Sequence, residues 1–233
     1  MQLIPVLKKL VILVFILIIP GFLYYLLIKK GKNRYHPLPI YGAKVLAKTF
    51  HKVHGKLIPD TVYHTLDDFH LTDQNGRPVS FKNFEDKILV VNFFYTHCPT
   101  VCNTMNGYMD SLARNFEKEK TVEFLSITVD PKNDSPAALK KYREHFTDHG
   151  PKWLFLTGDT STIYNLARKG FLVNAVDEGQ GNYIYSDKMI LIDTRKRIRG
   201  YYKGAQFSDV SRLNDEIKVL VYEEIRNREE PLY

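Results

Sequence analysis

The chain has little cysteine: two residues in 233, Cys98 and Cys102, four positions apart. That count excludes a disulfide-stapled scaffold, which spreads several bridges along a short chain. Glycine, at 13, and proline, at 11, are not in excess, and no segment repeats itself, so collagen-like, low-complexity and solenoid architectures are excluded as well. Histidine is absent beyond His149. Charge is absent from one long stretch: Leu10 to Ile28 reads LVILVFILIIPGFLYYLLI, nineteen uncharged residues, about the length that crosses a hydrocarbon core.

Elsewhere the composition is ordinary, 44% hydrophobic and 25% charged, which fits one packed domain with an appendage. The formal charge of +7 suits nucleic acid, anionic lipid or an acidic protein. The apolar stretch decides for a membrane and against nucleic acid. It outruns the core of a signal peptide, and KKGKNRYHP follows it in place of a small-residue cleavage site, so residues 10–28 are expected to be an uncleaved transmembrane anchor after a short tail, 1–9. Pro20 and Gly21 are tolerable kinks there. Lys8 and Lys9 precede the stretch while Lys29, Lys30, Lys32 and Arg34 follow it. Taken alone, that balance puts the large domain in the cytoplasm.

Residues 29–60 show no sustained period and are expected to be a juxtamembrane connector, with one short helix over Ala43–His51. Beyond them, Asn75-Gly76 marks a hairpin turn. KILVVNFFYT (87–96) reads as a strand buried on both faces, Met105, Tyr108, Met109, Leu112 and Phe116 recur at helical spacing, and VEFLSITVD (122–130) is a second buried strand. Ser135-Pro136 and Asp159-Thr160 are helix starts, the second helix ending before Gly170. WLFLTG, KMILID and IRGYY read as strands, and Phe207–Arg226 as an amphipathic helix. A hairpin, a βαβ unit and a terminal ββα give the expected class: α/β, thioredoxin-like, a central mixed sheet flanked by helices over residues 61–228.

Both cysteines lie in NFFYTHCPTVC, at the corner between the first buried strand and the first helix. Such a pair is a redox couple, a metal clamp or core filler. With Pro99 in the first helical turn, the two side chains share a helix face and their sulfurs can meet. The positive helix end favours thiolate, the form that attacks disulfides and binds metal.

NFFYTHCPTVC, then SITVDPKNDSP, WLFLTGD and LID with a basic hairpin resemble, in that order, the Sco (SenC) family of membrane-anchored thioredoxin-fold copper proteins. The resemblance covers about residues 60–225, and its hallmark CPxxC stands here as Cys98-Pro99-Thr100-Val101-Cys102. It implies work on the copper centre of cytochrome c oxidase, by delivering copper, reducing that site's cysteines, or both. It also implies a domain in the periplasm or an equivalent extracytoplasmic space, against the lysine count.

In the family a distal histidine, typically His-Ser eight residues before the Asp of LID, completes the metal site. Eight residues before Asp193 stands Tyr185, followed by Ser186. Phenol is a poor replacement for imidazole toward Cu(I), whereas two thiolates alone suit it and Cu(II) prefers a set containing nitrogen. Cys98 and Cys102 are therefore the expected redox dithiol and the expected metal ligands, for Cu(I) rather than Cu(II). A metal-free thiol–disulfide oxidoreductase is the alternative, and a peroxidase on this fold is disfavoured because PxxxTxxC is not present.

Around the pair, His97 and Asp130 are second-rank candidates beside the metal, although His97 is expected to point away from Cys98. His145 and His149 are read as a solvated helix end rather than a clamp. Arg195, Lys196, Arg197, Arg199 and Lys203 are read as a solvated sheet edge, with docking of an acidic partner as the alternative.

Overall fold

The computed structural model describes residues 3–30, 37–53, 56–98, 101–179 and 182–229. The chain divides into two units, Met1–His36 and Pro37–Tyr233. The first holds one helix, α1 (Leu3–Lys30), with Pro20 inside it. Its side chains from Leu13 to Ile19 and from Phe22 to Tyr25 are exposed. Counted over the described residues alone, no helix is long and apolar enough to cross a membrane.

In the second unit the strands β1 (Lys44–Val53) and β2 (Lys56–Tyr63) pair antiparallel as a separate ribbon, with a register shift between Leu46 and Phe50. This overturns the helix expected over Ala43–His51. β-Branched Val45, Thr49 and Val53 recur every fourth residue, a pattern that fits helix and strand alike, and pairing with β2 settles the choice.

The chain continues through β3 (Leu71–Asp73), β4 (Pro78–Val79), β5 (Ile88–Phe94), α2 (Val101–Asn115), β6 (Val122–Thr128), α3 (Pro136–Arg143), β7 (Trp153–Thr157) and α4 (Thr160–Asn165). It ends with β8 (Ala175–Gly179), β9 (Asn182–Tyr185), β10 (Lys188–Ile192), β11 (Ile198–Lys203) and α5 (Phe207–Glu229). The main sheet runs β11-β10-β5-β6-β7-β3-β4. Pairing is parallel at β5–β6 and β6–β7 and antiparallel at the other junctions, so the sheet is mixed.

Every residue of β5 is buried. Leu89, Val91 and Phe93 enter a core shared with Ile163 and Ala167 from α4 and the turn after it. Ile88, Val90 and Phe94 enter the opposite core, with Met105 and Met109 of α2, Leu139 of α3 and Leu213 and Ile217 of α5. Helices thus cover both faces. Ser135 caps α3 by accepting from the Ala138 amide, and Asp159 caps α4 by accepting from the Ser161 and Thr162 amides, as the sequence predicts.

The basic hairpin is a second correction. Arg199 is 1% exposed. Its guanidinium donates to Asp193 Oδ2 at 3.2 Å, to Glu223 at 2.8 and 3.0 Å, and to the carbonyls of Leu38 at 2.6 Å and Pro39 at 3.2 Å. Arg197 pairs with the same Asp193. Both aspartate and arginine are buried, so the pairing is needed to keep two desolvated charges in place. Lys196 alone of the four residues in the turn takes a positive φ, 62°.

Candidate functional site

The site grows from the end of β5. After Phe94 the chain leaves the sheet, and Thr96 is fastened by a buried carboxylate: its amide donates to Asp134 Oδ2 at 3.1 Å and its hydroxyl to Asp134 Oδ1 at 2.5 Å. Thr128, closing β6, donates its hydroxyl to the same group. Burial pushes the Asp134 carboxyl above its ordinary range; the hydrogen bonds from Thr128 and Thr96 oppose that, and Asp130 adds repulsion. Asp134 thus ties the cysteine loop to the end of β6.

Cys98 and Cys102 are joined as a disulfide, with 5.9 Å between their Cα atoms. Cys98 follows the loop and Cys102 is the second residue of α2. Pro99 and Thr100 lie outside the described residues, and with them the expectation that Pro99 opens the helix. Cys98 retains 6% exposure while Cys102 has none. A partner arriving from solvent therefore meets Cys98 first.

Tyr185, the last residue of β9, brings its hydroxyl to 3.1 Å from Cys98 Sγ and 3.0 Å from Cys102 Sγ. Burial pushes this phenol up to about 12, with Tyr95, Asp187 and Tyr142 adding to it. It stays protonated at neutral pH, a hydrogen-bond donor to sulfur and a weak metal ligand. Tyr95 packs edge-on against the Tyr185 ring, 5.7 Å between centroids, and lies 5.0 Å from Tyr183. Tyr185 thus covers the sulfurs, with Tyr95 and Tyr183 packed behind it.

Asp130 engages Asn133, at 2.9 and 3.2 Å, and Tyr183, whose phenol is pushed up by burial and by that carboxylate. It reaches the sulfurs only through the tyrosines. His97 is exposed, its Nδ1 3.1 Å from Thr96 Oγ1. His145 and His149 do not converge: His145 Nδ1 lies 2.9 Å from the Tyr142 carbonyl, and His149 Nε2 lies 3.0 Å from Asp110 Oδ1. His149 is buried against Trp153 rather than solvated, because Asp110 on α2 supplies the acidic partner that no local spacing reveals. Among the described residues no cluster of three or more His, Cys, Asp or Glu is placed to hold a metal.

The sequence did not single out Asp134, Tyr95 or Tyr183. The signals were present: an acid six residues after the end of β6 in VDPKND, and aromatics alternating in NYIY.

Comparison with known proteins agrees with this geometry. The SCO1/SenC family model matches residues 59–221. A SCO2-like protein of Rickettsia conorii is 30% identical over 202 residues, covering 83% of this chain and 89% of its own. Among solved structures, a SCO1/SenC family lipoprotein from Bacillus anthracis superposes with a TM-score of 0.64 at 29% identity, over 68% of this chain and 95% of its own. ScoI of Bradyrhizobium japonicum, solved with copper bound, gives 0.56 at 28% identity, over 67% and 99%.

Proposed function

The chain belongs to the SCO1/SenC family, and we propose that its Cys98–Cys102 pair performs thiol–disulfide exchange and carries Cu(I) in assembly of the copper subunit of cytochrome c oxidase. The observation that carries this reading is the bridged pair at a strand-to-helix corner, both cysteines buried and Cys98 the less buried of the two.

In the reduced form, the Cys98 thiolate attacks one sulfur of a client disulfide, forming a mixed disulfide and expelling a client thiolate. The Cys102 thiolate then attacks Cys98 Sγ, closing the bridge and expelling the second client sulfur. Two electrons pass to the client, and the protons given up by the two cysteines end on its thiols. A dithiol donor must reopen the bridge. The order follows from access, since Cys98 keeps 6% exposure and Cys102 keeps none. The Tyr185 hydroxyl, within 3.1 Å of each sulfur, steadies whichever thiolate is present.

As cargo, Cu(I) fits two thiolates. Cu(II) does not fit: the third donor near the sulfurs is a protonated phenol, and no histidine lies beyond His149. That same phenol favours the alternative reading, a metal-free thiol–disulfide oxidoreductase.

Residues 10–28 act as a single-pass anchor in the inner membrane, with 29–60 as connector and 61–228 as the thioredoxin-like Sco domain in the periplasm or its equivalent. Support comes from the uncharged run, its exposed side chains on α1 and the description of the Bacillus anthracis neighbour as a lipoprotein.

The test uses the full chain in detergent, reduced and anaerobic. Oxidation of Cys98 and Cys102 with stoichiometric reduction of a disulfide peptide is expected, together with Cu(I) retention against a competing chelator and no visible thiolate-to-Cu(II) band. Failure of both exchange and Cu(I) retention ends this reading.

A further inference from the structure

The β1–β2 ribbon has no role in the sulfur chemistry and no described residue of it is buried. Its root is fixed: Tyr41 donates its amide to the Ile198 carbonyl at 2.9 Å, His64 donates its amide to the Ala43 carbonyl at 3.0 Å, and His64 Nε2 lies 2.7 Å from the Gly170 carbonyl. Beyond that root its apolar side chains face solvent. Leu46 is 69% exposed, Leu57 66%, Val45 63% and Phe50 60%.

Cross-strand partners share a face. Val45 pairs with Val62, and Ile58 follows on the same side of β2; Leu46 pairs with Thr61 and Phe50 with Pro59, and Leu57 follows on the other side. Both faces are therefore apolar. A docked protein covers one face of such a ribbon and leaves the other wet, whereas a lipid interface receives both. The charges complement such an interface: Lys44, Lys48, Lys52 and Lys56 stand against the single acid Asp60. Attraction to an anionic leaflet strengthens partitioning by roughly fivefold per lysine near the surface.

We infer that the β1–β2 ribbon inserts into the headgroup and upper acyl region of an anionic bilayer. The inference rests on the membrane placement proposed above. Fifteen residues, 29–43, separate the apolar stretch from β1, a reach of at most about 50 Å, so a ribbon on an anchored chain stays near the lipid surface. Insertion lays the domain close to the bilayer rather than leaving it on a free tether.

The full chain carrying Phe50→Trp is reconstituted in phosphatidylcholine vesicles and in phosphatidylcholine–phosphatidylglycerol vesicles, both doped with acyl-brominated lipid. The one native tryptophan, Trp153, is buried and supplies a constant background that the parent chain measures. In the anionic vesicles the introduced indole is expected to shift to the blue and to be quenched, less so in neutral vesicles and less as salt rises. Lys44→Glu, Lys48→Glu, Lys52→Glu and Lys56→Glu together should remove most of that quenching; if this variant does not fold by circular dichroism, the salt titration of Phe50→Trp decides instead. Absence of quenching, or quenching equal in neutral lipid and indifferent to salt, overturns the inference. So does a blue shift without vesicles that grows with protein concentration, which assigns the ribbon to a second copy. Alkaline extraction of the same vesicles reports α1 separately: a parent chain that washes off defeats the anchor reading, while indole quenching reads the ribbon.

Discussion

Two antiparallel ribbons stand outside the main sheet, β1–β2 and β8–β9, and they differ in what covers them. Two strands alone are marginal in water. β8–β9 is held by the domain: Ala175 is buried, Tyr183 bonds to Asp130, and Tyr183 and Tyr185 pack against the cores on either side of the sheet. β1–β2 is held at its root and bare beyond it. The contrast teaches that a ribbon's sequence does not say whether it is structural. The covered one brings the Tyr185 hydroxyl to both sulfurs, and the bare one is left with apolar surface that the domain does not cover.

The largest effect should come from removing what β8–β9 covers. Cys98→Ser is expected to abolish disulfide exchange and Cu(I) retention with the ribbon still in place, read by peptide reduction and chelator competition. Cys102→Ser should instead accumulate a mixed disulfide on Cys98, visible by mass spectrometry, since the resolving thiol is gone.

Next is the floor of the corner. Asp134→Ala leaves the Thr96 amide and two hydroxyls without their acceptor and should cost about 3 kcal/mol in urea unfolding. Asp134→Asn adds a pH test. The carboxyl is raised in the fold, so the folded state holds its proton to higher pH than the unfolded chain. Its contribution is complete below the ordinary value of 3.8 and is lost as pH rises through the folded value. Asp134→Asn should flatten that decline in the urea midpoint above pH 4, and an unchanged slope would detach the effect from Asp134.

A smaller change comes from β9 itself. A phenol bonds a thiolate more strongly than a disulfide sulfur, so it favours the reduced pair. Tyr185→Phe is expected to make the dithiol about tenfold more reducing, about 30 mV, in equilibrium with glutathione. Tyr185→His should introduce a visible Cu(II)–thiolate band, the nitrogen donor being restored.

The smallest effect separates the ribbons directly. Phe50→Ser, on the bare ribbon, should alter urea stability in detergent by less than about 0.5 kcal/mol. Tyr183→Ala, on the covered one, should cost about 1–2 kcal/mol through its lost partner and packing. Equal costs would erase the distinction.

The central architecture was legible because local and tertiary demands coincide there. β5 is apolar but for Asn92 and β6 but for Glu123, Ser126 and Thr128, both are buried on both faces apart from the half-buried Glu123, and Ser135 and Asp159 cap helices with their own side chains. β1 was misread because Val45, Thr49 and Val53 suit either period, and only pairing with β2 decides. Arg199 looked like one charge among several on an edge; its burial depends on Asp193, Glu223 and the Leu38 and Pro39 carbonyls, which converge only in three dimensions. The cysteine corner was legible from spacing. Its anchor was not, because Asp134 lies 38 residues from Thr96. Tyr185 could be located by counting from Asp193, but a count cannot reveal a hydroxyl that touches both sulfurs.

The Arg199 clamp has a mechanical consequence. Any pull transmitted along the chain into residues 38 and 39 meets a guanidinium bonded to their carbonyls and, through Glu223, to α5. The load passes into the β11 edge and the C-terminal helix, two strands away from β5 in the sheet order. A pull on residues 38 and 39 is therefore shared among β11, Asp193 at the end of β10 and α5 instead of falling on one strand.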